Sequence, residues 1–143
     1  MNDNISIKGT VEFKVYQDGR LIDDFKDNNL ILNLGKETIC QLIASGNVNK
    51  VVTKIGFGES NAATSAGDSS LVNGFVKFLG NVSYPAINQV KWEWTLENTE
   101  ANGKTIREMA LMSANNTLFA RRVITDRIKD NTIYIYGTWT LTF

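Results

Sequence analysis

Between Val90 and Glu97 the side chains alternate without a break, with Val90, Trp92, Trp94 and Leu96 on one parity and Lys91, Glu93, Thr95 and Glu97 on the other. A period of two belongs to a strand with one dry face and one wet face, and a helix would scatter the same residues around its circumference. The pattern recurs at both ends of the chain. Ile5, Ile7, Val11, Phe13 and Val15 oppose Lys8, Thr10, Glu12 and Lys14, while Ile133, Ile135, Trp139, Leu141 and Phe143 oppose Tyr134, Tyr136, Thr138, Thr140 and Thr142. Shorter stretches at Arg20–Phe25, Val51–Phe57, Phe75–Val82, Thr105–Ser113 and Thr117–Ile124 also read as strands. Asp18-Gly19 and Asn115-Asn116 supply turns between them, and Pro85 marks a strand boundary. Seven or eight strands punctuated in this way predict an all-β, mainly antiparallel fold, a β-sandwich or jelly-roll-like domain. A length of 143 residues suits one such domain over 1–143.

One segment departs from the period of two. Asn33-Leu34-Gly35-Lys36-Glu37 resembles a helix start with Asn33 as N-cap, and Gly46 can close the helix in the left-handed conformation. The prediction is one short α-helix near residues 35–45, with Ile39, Leu42 and Ile43 as its buried stripe and Cys40 as a small core filler. The Glu59–Ser70 stretch is rich in Ser, Ala, Asn and Gly and has no apolar periodicity. It reads as a long loop with little area to offset its ordering entropy, mobile until a neighbouring subunit orders it. Asp23, Asp24 and Asp27 read as a solvated edge.

Composition excludes several chemistries. The chain has no histidine and a single cysteine, so imidazole-dependent nucleophiles, His metal sites, internal disulfides and Cys-cluster zinc sites are all closed. Lys plus Arg and Asp plus Glu number 15 each, which gives no broad field for nucleic acid or an anionic membrane. Met1-Asn2-Asp3-Asn4 lacks a secretory n-region and no apolar run approaches a membrane span, so the expectation is a protein made in a cytoplasm. Gly56-Phe57-Gly58-Glu59-Ser60 fails the fuller phosphate-loop patterns and reads as a strand end that needs permissive residues. No catalytic, cofactor or metal residue is assigned.

The candidate functional residues are therefore interface residues. Tyr134 and Tyr136 point away from the apolar row of the last strand, and tyrosines flanked by threonines suit a subunit contact unless the helix covers them. Arg121 and Arg122, with Arg127 and Lys129 nearby, read as a salt-bridged surface or interface. Glu59 and Asp68 join them from the long loop. Trp92 and Trp94 share parity with Val90 and Leu96, which favours the core over a sugar-stacking platform.

From Lys54 to Phe143 the order of segments resembles small bacteriophage virion proteins and the N-terminal parts of tail-fibre and tail-collar proteins. The matching pieces are Ile55-Gly56-Phe57-Gly58, the small-residue loop with Asp68-Ser69-Ser70-Leu71, Ile106-Arg107-Glu108-Met109-Ala110-Leu111-Met112, Thr117-Leu118-Phe119-Ala120-Arg121, Lys129, and Thr138-Trp139-Thr140-Leu141-Thr142-Phe143. The pattern usually has glycine where this chain has Ala110. The resemblance implies a non-enzymatic, self-associating virion component of the tail, collar or head surface, made in the bacterial host. It also implies a homo-oligomer, trimer first, docked to other virion structural proteins. A carbohydrate-binding β-sandwich module is the alternative, with a glycan as its partner.

Overall fold

The computed structural model describes residues 6–143, so Ile5 lies outside the described residues. Among the described residues nine strands follow in chain order: β1 (Lys8–Gln17), β2 (Arg20–Ile31), β3 (Val52–Gly58), β4 (Phe75–Phe78), β5 (Val82–Ser83), β6 (Gln89–Leu96), β7 (Thr105–Ser113), β8 (Leu118–Ile128) and β9 (Ile133–Thr142). Helix α1 (Asn33–Ser45) and a 3-10 turn (Val48–Lys50) separate β2 from β3. Every pairing is antiparallel, in the spatial order β4-β3-β7-β8-β2-β1-β9-β6-β5. The fold is all-β and sandwich-like, with one α-helix.

The order hides a closure. The two outermost strands, β4 and β5, are consecutive in the chain and joined by Leu79-Gly80-Asn81. Leu79 donates its amide to Thr53 of β3, while Gly80 and Asn81 exchange backbone bonds with Glu93 of β6, at 2.9, 2.7 and 2.8 Å. The sheet thus curls until its edges meet, which leaves little open edge for uncontrolled pairing. On the opposite side β2 bridges the halves, pairing with β1 along most of its length but with β8 only at Leu30 and Ile31.

Inside the curl lie the alternating residues. Val11, Phe13, Val15, Trp94, Leu96, Ile135, Trp139 and Leu141 face Ile55, Phe57, Met109, Leu111 and Phe119 across one core. Phe57 meets Trp94 edge-on with centroids 5.5 Å apart, a favoured aromatic geometry. Trp92 and Trp94 are both buried, as their parity predicted.

Local structure corrects four expectations. Asp18 and Gly19 take the positive φ values of the tight hairpin, but the return strand runs on to Ile31 because polar Lys26–Asn29 still pair with β1. Because β2 pairs with β8 only at Leu30 and Ile31, its side away from β1 carries no ladder along residues 23–27, and Asp23, Asp24 and Asp27 are exposed there as a solvated edge. Segment Phe75–Ser83 is two strands, each serving a different half. Helix α1 starts one residue early, with Leu32 rather than Asn33 as N-cap and no side-chain cap, and Gly46 closes it in the left-handed region as expected. Its buried positions are Gly35 and Thr38, while Cys40 and Ile43 are exposed. Close packing against Phe119 at Gly35 fixes the helix by its first turn, Ile39 and Leu42 are only partly buried, and Ile43 is left without a cover.

Candidate functional site

Strand β7 is buried on both faces, yet carries a carboxylate in its middle. Glu108 is fully buried and pairs with Arg121 of β8, itself 3% exposed, at 2.9 Å between Nε and Oε1. Such a charge persists in an interior only when all its valences are used. The second oxygen of Glu108 accepts the backbone amides of Ser60 and Val72 at 2.7 and 3.1 Å. Arg121 Nη1 donates to the Ala62 carbonyl at 3.0 Å and to Asp68 at 3.1 Å, and Asp68 also accepts the Ser65 amide at 2.9 Å. Register explains the space for this. Gly58 sits opposite Glu108, and a Cβ there would lie 2.6 Å from the carboxylate. Gly58 is thus the permissive residue expected at the strand end, required for close approach and without a positive φ.

The network seats the long loop on the outer face of β3, β7 and β8. Leu71 from that loop packs on Leu32, Ala110, Met112 and Leu118 in a second, smaller core. The neighbour that orders the loop is therefore the chain's own interior. Glu59 and Asp68 are brought to opposite ends of the loop with different partners: Glu59 accepts from Asn73 at 2.6 Å and lies 3.9 Å from Lys104, while Asp68 serves Arg121. Arg121 is an interior residue, which removes it from the surface contacts expected of it. Glu108, with Asp126 and Asp130, counts from sequence among the acids that would salt-bridge the basic stretch around Arg121 at a surface; what sequence reasoning missed is that the pair is interior, although a lone acid in a strand apolar on both parities was the available signal.

Arg122 points to the opposite side of β8, where it pairs with Asp27 at 2.6 Å and lies over the Phe25 ring at 5.7 Å. Arg127 pairs with Asp23 in the same way further along. The basic stretch is thus divided among three environments. The third is Lys129, fully buried, whose ammonium donates to Asn102 Oδ1 and the Asp130 carbonyl, both at 2.9 Å. Burial pushes the Lys129 ammonium below its ordinary value, partly offset by the charges of Asp130, Glu100 and Glu97.

Tyr134 and Tyr136 lie on the outer face of β9 beside Tyr16, and Tyr136 is 39% exposed. Helix α1 packs on β8 and does not cover this face. With Gly19 and Asn98 the three tyrosines frame a shallow concavity of about 370 Å³. Tyr136 donates its hydroxyl to Glu93 at 3.2 Å. Burial pushes the pKa of both phenols above the ordinary value and makes them weaker acids, with the Glu97 charge adding to it at Tyr134 and Glu93 at Tyr136.

A larger cavity, about 560 Å³, opens at the end of the barrel where the two sheet edges join. Ile39 and Leu42 of α1, the Phe78–Gly80 junction, Tyr84 and Phe143 form its walls. Among the described residues no cluster of three or more metal-ligating side chains comes together, and no helix is long and apolar enough to cross a membrane. The chain matches no family model, no curated protein and no solved structure.

Proposed function

We propose that this chain is a non-enzymatic structural subunit of a bacteriophage virion, in the tail, a tail-fibre adaptor, the collar or the head surface. It acts by self-association and by docking to other virion proteins. One observation carries the proposal. The segments that resemble the phage pattern, scattered over the chain, meet in space: Gly58 makes room for Glu108, Glu108 holds Arg121, and Arg121 holds Asp68. The pattern therefore describes a loop-seating interior rather than a set of exposed reactive groups. Ala110 fits this account, being fully buried in regular strand under the loop. The exposed Tyr134–Tyr136 face and Arg122 remain the outward candidates for subunit contacts.

Particles assembled without the chain are expected to lack a discrete feature in electron micrographs and to regain it when purified protein is added. Complete particles that take up none of it would overturn the proposal. The carbohydrate-binding alternative loses its tryptophan platform, since Trp92 and Trp94 are core residues. It retains the concavity of Tyr16, Tyr134 and Tyr136, and a glycan array whose signal disappears in Tyr136→Ser would favour it.

A further inference from the structure

The end of the barrel that holds the larger cavity carries more uncovered apolar surface than a subunit of this size normally leaves in water. Phe78 and Tyr84 on its wall are 71% and 75% exposed, and Val82 and Phe143 are about half exposed. Two isoleucines on the same segments as its wall residues are strongly exposed. Ile43 follows the lining residue Leu42 on α1 and is 82% exposed; Ile87 stands fully exposed in the turn between β5 and β6. That turn is fastened beside the cavity by Phe143, whose amide bonds to the Asn88 carbonyl at 2.9 Å. These six residues together expose on the order of 800 Å², and each partner in a standard-size interface contributes about 800 Å². Contiguous apolar patches on monomers seldom exceed a few hundred Å².

We infer that this end of the barrel is where a second copy of the chain seats, a step that rests on the self-association in the proposed function. Shape points to a copy rather than to an unrelated partner. Helix α1 and the turn between β5 and β6 each supply both part of the wall of the hollow of about 560 Å³ and an exposed isoleucine. A two-fold contact needs that self-complementarity, because each subunit must offer both the projection and the recess. Charge does not oppose it, since the formal net charge is zero and two copies do not repel as whole molecules. The helical stripe adds a sequence-level argument. Ile39, Leu42 and Ile43 have the spacing of a buried face, yet the subunit supplies nothing to cover Ile43. A second copy does.

The test is sedimentation equilibrium of the full chain and of the Ile43→Ser/Ile87→Ser double variant, whose substitutions are at exposed positions, with far-UV dichroism as the check on folding. The wild-type chain should associate, and the variant should raise the dissociation constant by roughly 30-fold or more while its spectrum stays unchanged. A spin label on Cys40, the single cysteine, should report one defined distance between copies that disappears in the variant. An unmoved dissociation constant would overturn the inference, and if Tyr134→Ser/Tyr136→Ser moves it instead, self-association stands at the other face. A wild-type chain that is monomeric at all concentrations would overturn both. A small apolar molecule found in the cavity by native mass spectrometry of a monomer, or a different virion protein displaced from the folded chain by the double variant, would overturn the inference as well.

Discussion

Replacing Glu108 with leucine removes one half of the ion pair on which the long loop is seated. Three contacts disappear together: the Arg121 Nε bond at 2.9 Å and the Ser60 and Val72 amides at 2.7 and 3.1 Å. Arg121 stays behind, 3% exposed, with only Asp68 and loop carbonyls to hold its charge. Breaking a buried pair by removing one partner costs about 3–5 kcal/mol, because the remaining charge is left desolvated. For a chain of this length that lowers the melting temperature by roughly 10–15 °C and consumes much of the ~5–15 kcal/mol that a domain has. Arg121→Met should cost a similar amount. The double variant, which leaves no unpaired charge, should be more stable than the sum of the singles implies, with a coupling of about 2–3 kcal/mol. By contrast Asp126→Ala breaks the half-exposed pair with Arg107 at 3.2 Å and should cost under about 1 kcal/mol. Urea unfolding followed by tryptophan fluorescence measures all four, and amide exchange at Ser60 and Val72 reports the loop. A Glu108→Leu protein that loses less than about 1 kcal/mol, with both amides still protected, would refute the reasoning.

Gly58→Ala should lower stability by about 1–3 kcal/mol, since the new Cβ meets the Glu108 carboxylate at 2.6 Å inside a filled interior; an unchanged urea midpoint would show that the carboxylate can move aside. Trp92→Ala should destabilise the whole fold by about 3–5 kcal/mol, and an unchanged midpoint with lost glycan binding would contradict it. Lys129 titrates below 10.5 in the folded chain, so its ammonium disfavours folding below that lowered value. Its contribution should become more favourable as pH rises through that value towards 10.5 and then level off. The raised Tyr134 and Tyr136 act in the opposite sense, losing stability as pH rises above 10.0, so the Lys129 effect is read as the wild-type minus Lys129→Met difference in urea midpoint between pH 7 and 10.5. A flat difference would remove Lys129 as the cause.

Much of the fold was legible because strand alternation is local. Val90–Leu96 and Ile133–Leu141 face inward as their parity requires, and Asp18-Gly19 turns as its residue types require. What alternation cannot carry is the partner of each strand. Asp23 and Asp27 read as a solvated edge, but nothing in the alternation shows that the side chains of Arg127 and Arg122 on β8 reach them from about a hundred residues away. Helical periodicity failed differently: it predicted a covered stripe at Ile39, Leu42 and Ile43, and the subunit covers only part of it. Of the candidate site, Tyr134 and Tyr136 were placed correctly on an outward face. Arg121 was not, since a basic pair in sequence does not show that adjacent strand residues point to opposite sides of a sheet, one of them into a buried acid.

The central claim, that the chain is a component of a virion, is tested most directly by quantitative mass spectrometry of purified particles from the host that carries its gene. The account predicts the chain in the particles at a fixed copy number relative to the other structural proteins, and its retention through gradient purification. Recovery only in the soluble lysate, with particles free of it, would contradict the claim.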